Sequence, residues 1–171
     1  MGHLRFLAVL AIATTHAFAE TGSRKLIVSL ADHKLALIED GRLVKVFPIA
    51  VGKSSTPSPT GSFQIISRTV KPTWYHAGKV VPPGPANPVG TRWIGLSQKG
   101  YGIHGTNAPR SIGKSSSHGC IRMRNQDVEQ LFELVQVGDP VELVSEASAE
   151  FTRYFRPQEV SVEVALAGGG Q

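Results

Sequence analysis

The sequence is poor in cysteine, in charged residues and in long apolar runs, and each shortage excludes a class of protein. A lone cysteine, Cys120, excludes an intramolecular disulfide framework. Charged residues make up 18% of the chain, and the net charge of +5 is spread rather than clustered, which argues against nucleic acid as a partner. No apolar run is long enough to predict a stable membrane span.

The hydrophobic, glycine and proline contents predict one globular domain. Hydrophobic residues occupy 41% of the 171 positions, which is enough to bury a core within a single domain. The eighteen glycines and eleven prolines favour a turn-rich fold built from strands over a helical bundle.

The first nineteen residues are typical of a secretory signal peptide. Arg5 precedes an apolar run at residues 6–13, and residues 17–19 have the A-x-A pattern of a cleavage site. The run is short for a membrane span, although an uncleaved anchor stays an alternative, and no cysteine follows it that could carry a lipid. We therefore expect residues 20–24 to be a short linker and the protein to be exported to the periplasm.

Short apolar segments bounded by turn residues predict a mainly β domain over residues 25–145. Asp40-Gly41 predicts a two-residue hairpin turn, because both central positions of such a turn need a positive φ, and the first three strands then form an antiparallel meander. The proline-rich residues 72–90 predict an ordered surface loop or a substrate wall, since proline lacks the amide that strand pairing needs. Strands are predicted at residues 25–30, 34–39, 42–51, 63–70, 92–97, 101–106 and 141–144.

One main helix is predicted after Cys120. Asn125 is a good N-cap residue, and Gly138 is expected to end the helix before a following proline. Apolar residues at helical spacing give the helix one buried face: Val128, Leu131, Phe132 and Val135.

The C-terminal residues 146–171 carry a weaker pattern. Apolar residues alternate over 160–166, which favours an added edge strand, and the last residues are expected to be disordered.

The chemistry of the chain is concentrated in residues 104–123, which hold Cys120 and two histidines. Acyl transfer by cysteine needs a thiolate, a base and donors for the developing oxyanion. His104 comes from a separate strand and is free to align as the base, whereas His118 is too close in sequence to swing onto the sulfur. Gly119 permits the tight backbone path that can direct successive amides at one oxygen. Arg122 can lower the thiol pKa or hold a substrate carboxylate.

Two other interpretations of this stretch stay open. A catalytic zinc with an open position needs three ligands, and His104, His118 and Cys120 could supply them, although a structural site would lack its fourth ligand. Cys120 could also be a buried, inert thiol, which its polar neighbours disfavour.

Four separated motifs in this chain resemble the catalytic domain of the L,D-transpeptidases of bacterial peptidoglycan. The family signature, a histidine followed after a spacer by Ser-His-Gly-Cys, is matched by His104 and residues 117–120. The stretches VGKSSTPSPTGSF at 51–63, PGPANPVGTRWIGL at 83–96 and YGIHGT at 101–106 also agree. The resemblance covers residues 25–144, nearly all of the expected mature chain.

The resemblance implies a fold and a reaction. The fold is a single-domain β-sandwich or open barrel. In the reaction, Cys120 attacks the third-residue carbonyl of a tetrapeptide stem and expels D-Ala, and His104 is the proton donor and acceptor. An acceptor amine, from a second stem peptide or an envelope protein, then resolves the thioester. Neither a cofactor nor a metal is implied.

The resemblance also implies which other residues form the site. Some family members have asparagine two residues after the cysteine, where this chain has Arg122, as many Gram-negative members do; this bears on substrate positioning. The residues expected to shape the site or its oxyanion donors are Ser117, His118 and Gly119. The residues expected to contact substrate are Trp93, Tyr101, Gly105 and Arg122.

Two alternative functions stay open. An L,D-carboxypeptidase or hydrolase would use the same site with water as the acceptor. A non-catalytic wall-binding module would keep the scaffold alone, which the intact His104 and Cys120 disfavour.

Overall fold

The structure, a computed structural model, describes residues 23–146 together with Thr152 and Tyr154. Strands dominate this part of the chain, and the main helix, α1 (Asn125–Leu134), follows Cys120. The strands are β1 (Arg24–Ser29), β2 (Lys34–Glu39), β3 (Arg42–Pro48), β4 (Val51–Gly52), β5 (Gly61–Val70), β6 (Trp74–His76), β7 (Lys79–Val81), β8 (Arg92–Leu96), β9 (Gly102–His104), β10 (Ser115–Ser117), β11 (Ile121–Arg122) and β12 (Pro140–Val144).

Eight strands form one curled, open half-barrel sheet in the order β11-β9-β8-β5-β12-β1-β2-β3. The predicted meander is confirmed, since β1, β2 and β3 pair antiparallel in sequence order. Asp40 and Gly41 have φ values of 49° and 72°, so the turn between β2 and β3 has the two positive φ angles that the sequence predicts. Two small ladders, β4–β10 and β6–β7, complete the fold.

The main core lies against one face of the sheet. Alternate residues of the long strands point into it, and the buried face of α1 packs there through Val128, Leu131 and Phe132. Residues on the opposite face of β1 and β2 form a smaller cluster of Ile27, Ala36 and Ile38, against which Tyr154 packs. Both faces of these strands are therefore buried, which is why their sequences are continuous apolar runs.

The predicted boundaries of the helix are wrong at both ends. Arg124, not Asn125, occupies the N-cap position, and no side chain caps the helix there. Asn125 is the first helical residue, and its side-chain oxygen accepts hydrogen bonds from two amides outside the helix. The helix ends at Leu134 because Val135 is extended, and Gly138 lies in the following turn, where its amide donates to the Ile65 carbonyl.

The predicted strand over residues 42–51 is interrupted. β3 ends at Pro48, and Ala50 then forms an isolated antiparallel bridge with Arg122 instead of continuing along β2. After the break, the chain leaves the edge of the sheet and approaches Cys120. There β4 pairs with β10, whose last residue is Ser117.

The proline-rich segment is ordered, as predicted, but contains a hairpin that the sequence did not reveal. β6 and β7 pair antiparallel through a turn at Ala77 and Gly78, both with positive φ. The buried Asn87 holds the rest of the segment: its amide group donates to the carbonyls of Pro72 at 2.8 Å, and of Val81 and Pro82 at 3.2 Å. Residues 1–19, 20–22 and the edge strand expected over 160–166 lie outside the described residues. Within the described part, no helix is long and apolar enough to cross a membrane.

Candidate active site

Three neighbouring strands carry the site residues on one face. β9 and β11 pair parallel with Arg122 opposite His104, and β8 pairs antiparallel with β9 so that Trp93 is also opposite His104. Their other face is apolar and lies in the core. Because side chains alternate across a strand, burying that face in the core places Trp93, His104 and Arg122 together on the opposite face. Cys120 precedes Arg122 by two residues.

His104 ends β9 and is only 4% exposed. Its Nδ1 lies 2.5 Å from the carbonyl oxygen of Gly105, which can only accept, so Nδ1 carries the proton and Nε2 has the free lone pair. The ring stacks on Trp93 with centroids 5.5 Å apart. Burial lowers the pKa of His104 to about 4; the Gly105 hydrogen bond opposes this and the charge of Arg122 adds to it. The imidazole is therefore neutral at pH 7.

Cys120 is half-buried, and its Sγ lies 3.6 Å from the carbonyl oxygen of Gly100. Burial raises the pKa of the thiol, while a hydrogen bond with the Gly102 backbone and the charge of Arg122 lower it by less. Thiol and imidazole are therefore both neutral at pH 7, and neither side chain brings a charge to the cleft.

Hydrogen bonds fix the turn that presents Cys120. Ser117 Oγ donates to the Cys120 carbonyl at 2.6 Å and accepts from the Gly119 amide at 3.0 Å. The buried Ser58 Oγ donates to the Gly119 carbonyl at 2.7 Å and accepts from the Gly52 amide at 2.9 Å. Ser117 and Ser58 therefore hold the backbone that presents Cys120, and Ser58 is a residue that the sequence did not single out among the serines of its loop.

Gly119 cannot be replaced without strain. Its φ is +113°, and a Cβ there would lie 2.7 Å from Cε1 of Tyr101. The amide of Gly119 is bonded to Ser117, so in this state it is not directed at an oxyanion. Gly119 thus shapes the turn, and any oxyanion donation from residues 118–120 falls to the other amides.

Trp93, His104 and Cys120 line a cleft of about 850 Å³, together with Arg122. Its inner wall includes Ser117, the exposed His118 and Cys120, and its outer wall is the proline-rich segment that Asn87 holds in place. Tyr101 and Gly105, predicted to contact substrate, are not among the lining residues; Tyr101 packs at Gly119 and Gly105 accepts from His104. The lining residues are Thr69, Pro72, Thr73, Trp74, Tyr75, His76, Pro88, Val89, Trp93, Gly100, His104, Ser117, His118, Cys120 and Arg122.

Arg122 brings a positive charge into this cleft. Its guanidinium is half-buried, and no carboxylate within residues 23–146 forms an ion pair with it. Burial lowers its pKa, which the neighbouring Cys120 opposes. A half-buried cation without an acidic partner loses part of its hydration uncompensated, so the arrangement favours an anionic ligand.

Metal ligands are not assembled here. Over the described ranges, no group of three or more His, Cys, Asp or Glu side chains is placed to hold a metal ion. The geometry of His104, His118 and Cys120 therefore does not offer the three-ligand set that the zinc interpretation needs.

The sequence matches a known family along nearly all of the described range. Residues 23–143 match the YkuD family, described as the L,D-transpeptidase catalytic domain. The chain belongs to the L,D-transpeptidase family. A protein of Bacillus licheniformis with the name L,D-transpeptidase YkuD is 45% identical over 119 residues, which are 70% of this chain and 64% of that protein. The L,D-transpeptidase YqjB of Bacillus subtilis is 36% identical over 147 residues, covering 83% of this chain and 79% of that protein.

Solved L,D-transpeptidase structures share the fold. One from Enterococcus faecium has a TM-score of 0.62 at 25% identity, covering 71% of this chain and 50% of that chain. Ldtfm, solved as its avibactam carbamoyl enzyme, has a TM-score of 0.62 at 26% identity, covering 72% of this chain and 49% of that chain. The predicted mainly β, open-barrel L,D-transpeptidase fold with its main helix after the cysteine is confirmed.

Proposed function

We propose that the protein is an exported peptidoglycan L,D-transpeptidase in which Cys120 is the nucleophile and His104 the base. The observation that carries the proposal is the 2.5 Å contact between Nδ1 of His104 and the carbonyl oxygen of Gly105. Because this oxygen can only accept, the proton lies on Nδ1, and an unprotonated Nε2 is left to take the thiol proton. Family membership supports the substrate class, since L,D-transpeptidases act on peptidoglycan stem peptides.

In the first half-reaction, the proton of the Cys120 thiol moves to Nε2 of His104 as Sγ attacks the third-residue carbonyl of a tetrapeptide stem. The C–N bond to D-Ala then breaks, and Nε2 returns the proton to the leaving amine. Because the imidazole and the thiol are both neutral before the attack, the thiolate forms only as the new bond from Sγ to the carbonyl carbon forms. Backbone amides beside Cys120 stabilise the oxyanion.

In the second half-reaction, an acceptor amine attacks the thioester and gives its proton to Nε2. The C–S bond breaks, and Sγ recovers that proton. Arg122 binds a carboxylate of the donor stem and lowers the pKa of the thiol as substrate displaces water from the cleft. The acceptor is a second stem peptide or an envelope protein amine.

Export follows from residues 1–19 and brings the site to its substrate in the periplasm. Fusing residues 1–24 to a reporter enzyme that folds only outside the cytoplasm tests it. Reporter activity is expected, and it should be lost when the apolar run at residues 6–13 is interrupted by charged residues. Activity that persists without this run would contradict export by this segment.

Product analysis tests the reaction. Protein beginning at Glu20, incubated with a disaccharide-tetrapeptide and analysed by mass spectrometry, should release D-Ala and form 3→3 cross-linked dimers. The Cys120→Ala variant should form neither product. Release of D-Ala with tripeptide as the only other product would assign a carboxypeptidase that uses water. A folded wild-type protein that leaves the tetrapeptide intact would contradict the proposal.

A second experiment tests the nucleophile without peptidoglycan. Because a relative is known as an avibactam carbamoyl enzyme, wild type is expected to gain one avibactam-derived adduct by intact mass. An adduct of equal yield on Cys120→Ala would show that another group reacts.

A further inference from the structure

Asn125 links the helix to two segments of the site. It is the first residue of α1, and its Oδ1 accepts hydrogen bonds from the amide of Thr106 at 3.1 Å and from the amide of Thr91 at 3.3 Å. Since both partners are donors, the atom facing them is the amide oxygen. One of these segments follows the catalytic histidine, and the other leads from the outer wall of the cleft into β8.

One peptide group joins Asn125 to His104. The carbonyl of the peptide between Gly105 and Thr106 accepts from Nδ1 of His104, and the amide of the same peptide donates to Asn125 Oδ1. The hydrogen bonds therefore form a continuous line from the imidazole, through one peptide plane, to the helix. Bonds in such a line polarise one another, so the bond to Asn125 makes the Gly105 carbonyl a better acceptor.

Two glycines leave room for this arrangement. A Cβ at Gly105 would lie 2.2 Å from Asn125 Oδ1, and a Cβ at Gly90 would lie 2.1 Å from it. Gly105 has no positive φ, so its small size is explained by the approach of Asn125 and not by backbone conformation. The close fit leaves the 105–106 peptide little freedom to rotate.

We propose that Asn125 is a positioning residue that holds His104 in its reactive tautomer and orientation through the 105–106 peptide. An orienting acid would accept a hydrogen bond from Nδ1 directly. Asn125 acts on Nδ1 indirectly, because it binds the amide of the same peptide whose carbonyl accepts from Nδ1. The inference rests on the proposed function, in which His104 is the base. It also explains why Asn125 is not used as a helix cap.

The variants that test this separate orientation from folding. Asn125→Ala removes the acceptor, Asn125→Asp keeps an acceptor of the same shape, and Gln126→Ala is a matched control at the next, exposed helix position. Asn125→Ala should lower kcat for D-Ala release by about 10–100-fold with KM nearly unchanged, as expected for a misaligned base. Asn125→Asp should recover most of this loss, and Gln126→Ala should behave as wild type.

An NMR titration of the His104 ring in the full chain gives a readout that does not depend on turnover. Asn125→Ala should raise the pKa of His104 from about 4 toward 6.5, because a loosened 105–106 peptide admits water to the ring. Arg122 and Cys120, which line the same cleft as the ring, are unchanged in every variant, so the comparison isolates Asn125.

An Asn125→Ala variant with a lower melting temperature but with wild-type kcat and His104 titration would overturn the inference and leave Asn125 a purely structural residue. If Asn125→Ala does not fold, Asn125→Ser carries the same two measurements. If wild type releases no D-Ala, the proposed function fails, while the titration still decides whether Asn125 positions His104.

Discussion

Acidification should both destabilise and inactivate the protein through His104. Burial lowers the pKa of this group to about 4, against 6.5 for the unperturbed side chain. Between these values the unfolded chain binds a proton that the folded chain does not, so the free energy of unfolding falls as the pH drops from 6.5 to 4. At about 1.4 kcal/mol per pH unit, the loss is about 3 kcal/mol, complete below pH 4 and absent above 6.5.

Urea unfolding of wild type and of His104→Gln at about pH 7.5 and about pH 4.5 measures this loss. Other groups titrate in both proteins, so the difference between the two proteins isolates His104. At about pH 4.5 the loss is not yet complete, and the stability difference between the two proteins should shift against wild type by about 2.5 kcal/mol on acidification. The acid limb of kcat/KM should likewise lie near pH 4. A stability gap that does not change with pH, or an acid limb near 6.5, would refute the buried, neutral imidazole.

Three substitutions test other parts of the site. Ser117→Ala removes two hydrogen bonds to the backbone of residues 119 and 120 and should lower the free energy of unfolding in urea by about 2 kcal/mol. Ser116→Ala removes a buried hydroxyl that has no hydrogen-bond partner and should leave this free energy almost unchanged. Equal losses in the two variants would contradict this. Gly119→Ala should abolish D-Ala release, but Gly113→Ala, with positive φ and open space, should only lower stability by about 1 kcal/mol; an active Gly119→Ala would count against the geometry. Arg122→Gln should raise KM and should raise the pKa of the Cys120 thiol, measured by iodoacetamide alkylation against pH. An unchanged KM and an unchanged thiol pKa would exclude Arg122 from substrate binding and from an effect on the thiol.

Local signals in the sequence predict much of the fold. Asp40-Gly41 predicts its turn because two positive φ angles restrict the residue types that can stand there. The apolar stripe of α1 predicts its buried face for a similar reason, since helical spacing fixes which residues share a side. Interactions that depend on local backbone preference are therefore visible in a single sequence.

Features that depend on distant partners are not visible. Ala77 adopts a positive φ without being glycine, so the hairpin of β6 and β7 is hidden among prolines. Asn125 has the residue type of a helix cap, but its side-chain oxygen accepts hydrogen bonds from the distant backbone amides of Thr91 and Thr106 instead of from an amide of the helix. His104 and Cys120 stand out in the sequence because they belong to a recognisable motif, whereas Ser58, which is an ordinary loop serine until the chain folds, does not.

The most direct test of the central claim is the mass of the protein trapped during reaction with a tetrapeptide stem whose side-chain amine is blocked, so that the stem cannot also act as the acceptor. Wild type should gain the mass of the donor without its terminal D-Ala, and the modified peptide after proteolysis should contain Cys120. Cys120→Ala should gain nothing under the same conditions. A wild-type protein that releases D-Ala without ever carrying this mass, or that carries it at another residue, would contradict acyl transfer through Cys120.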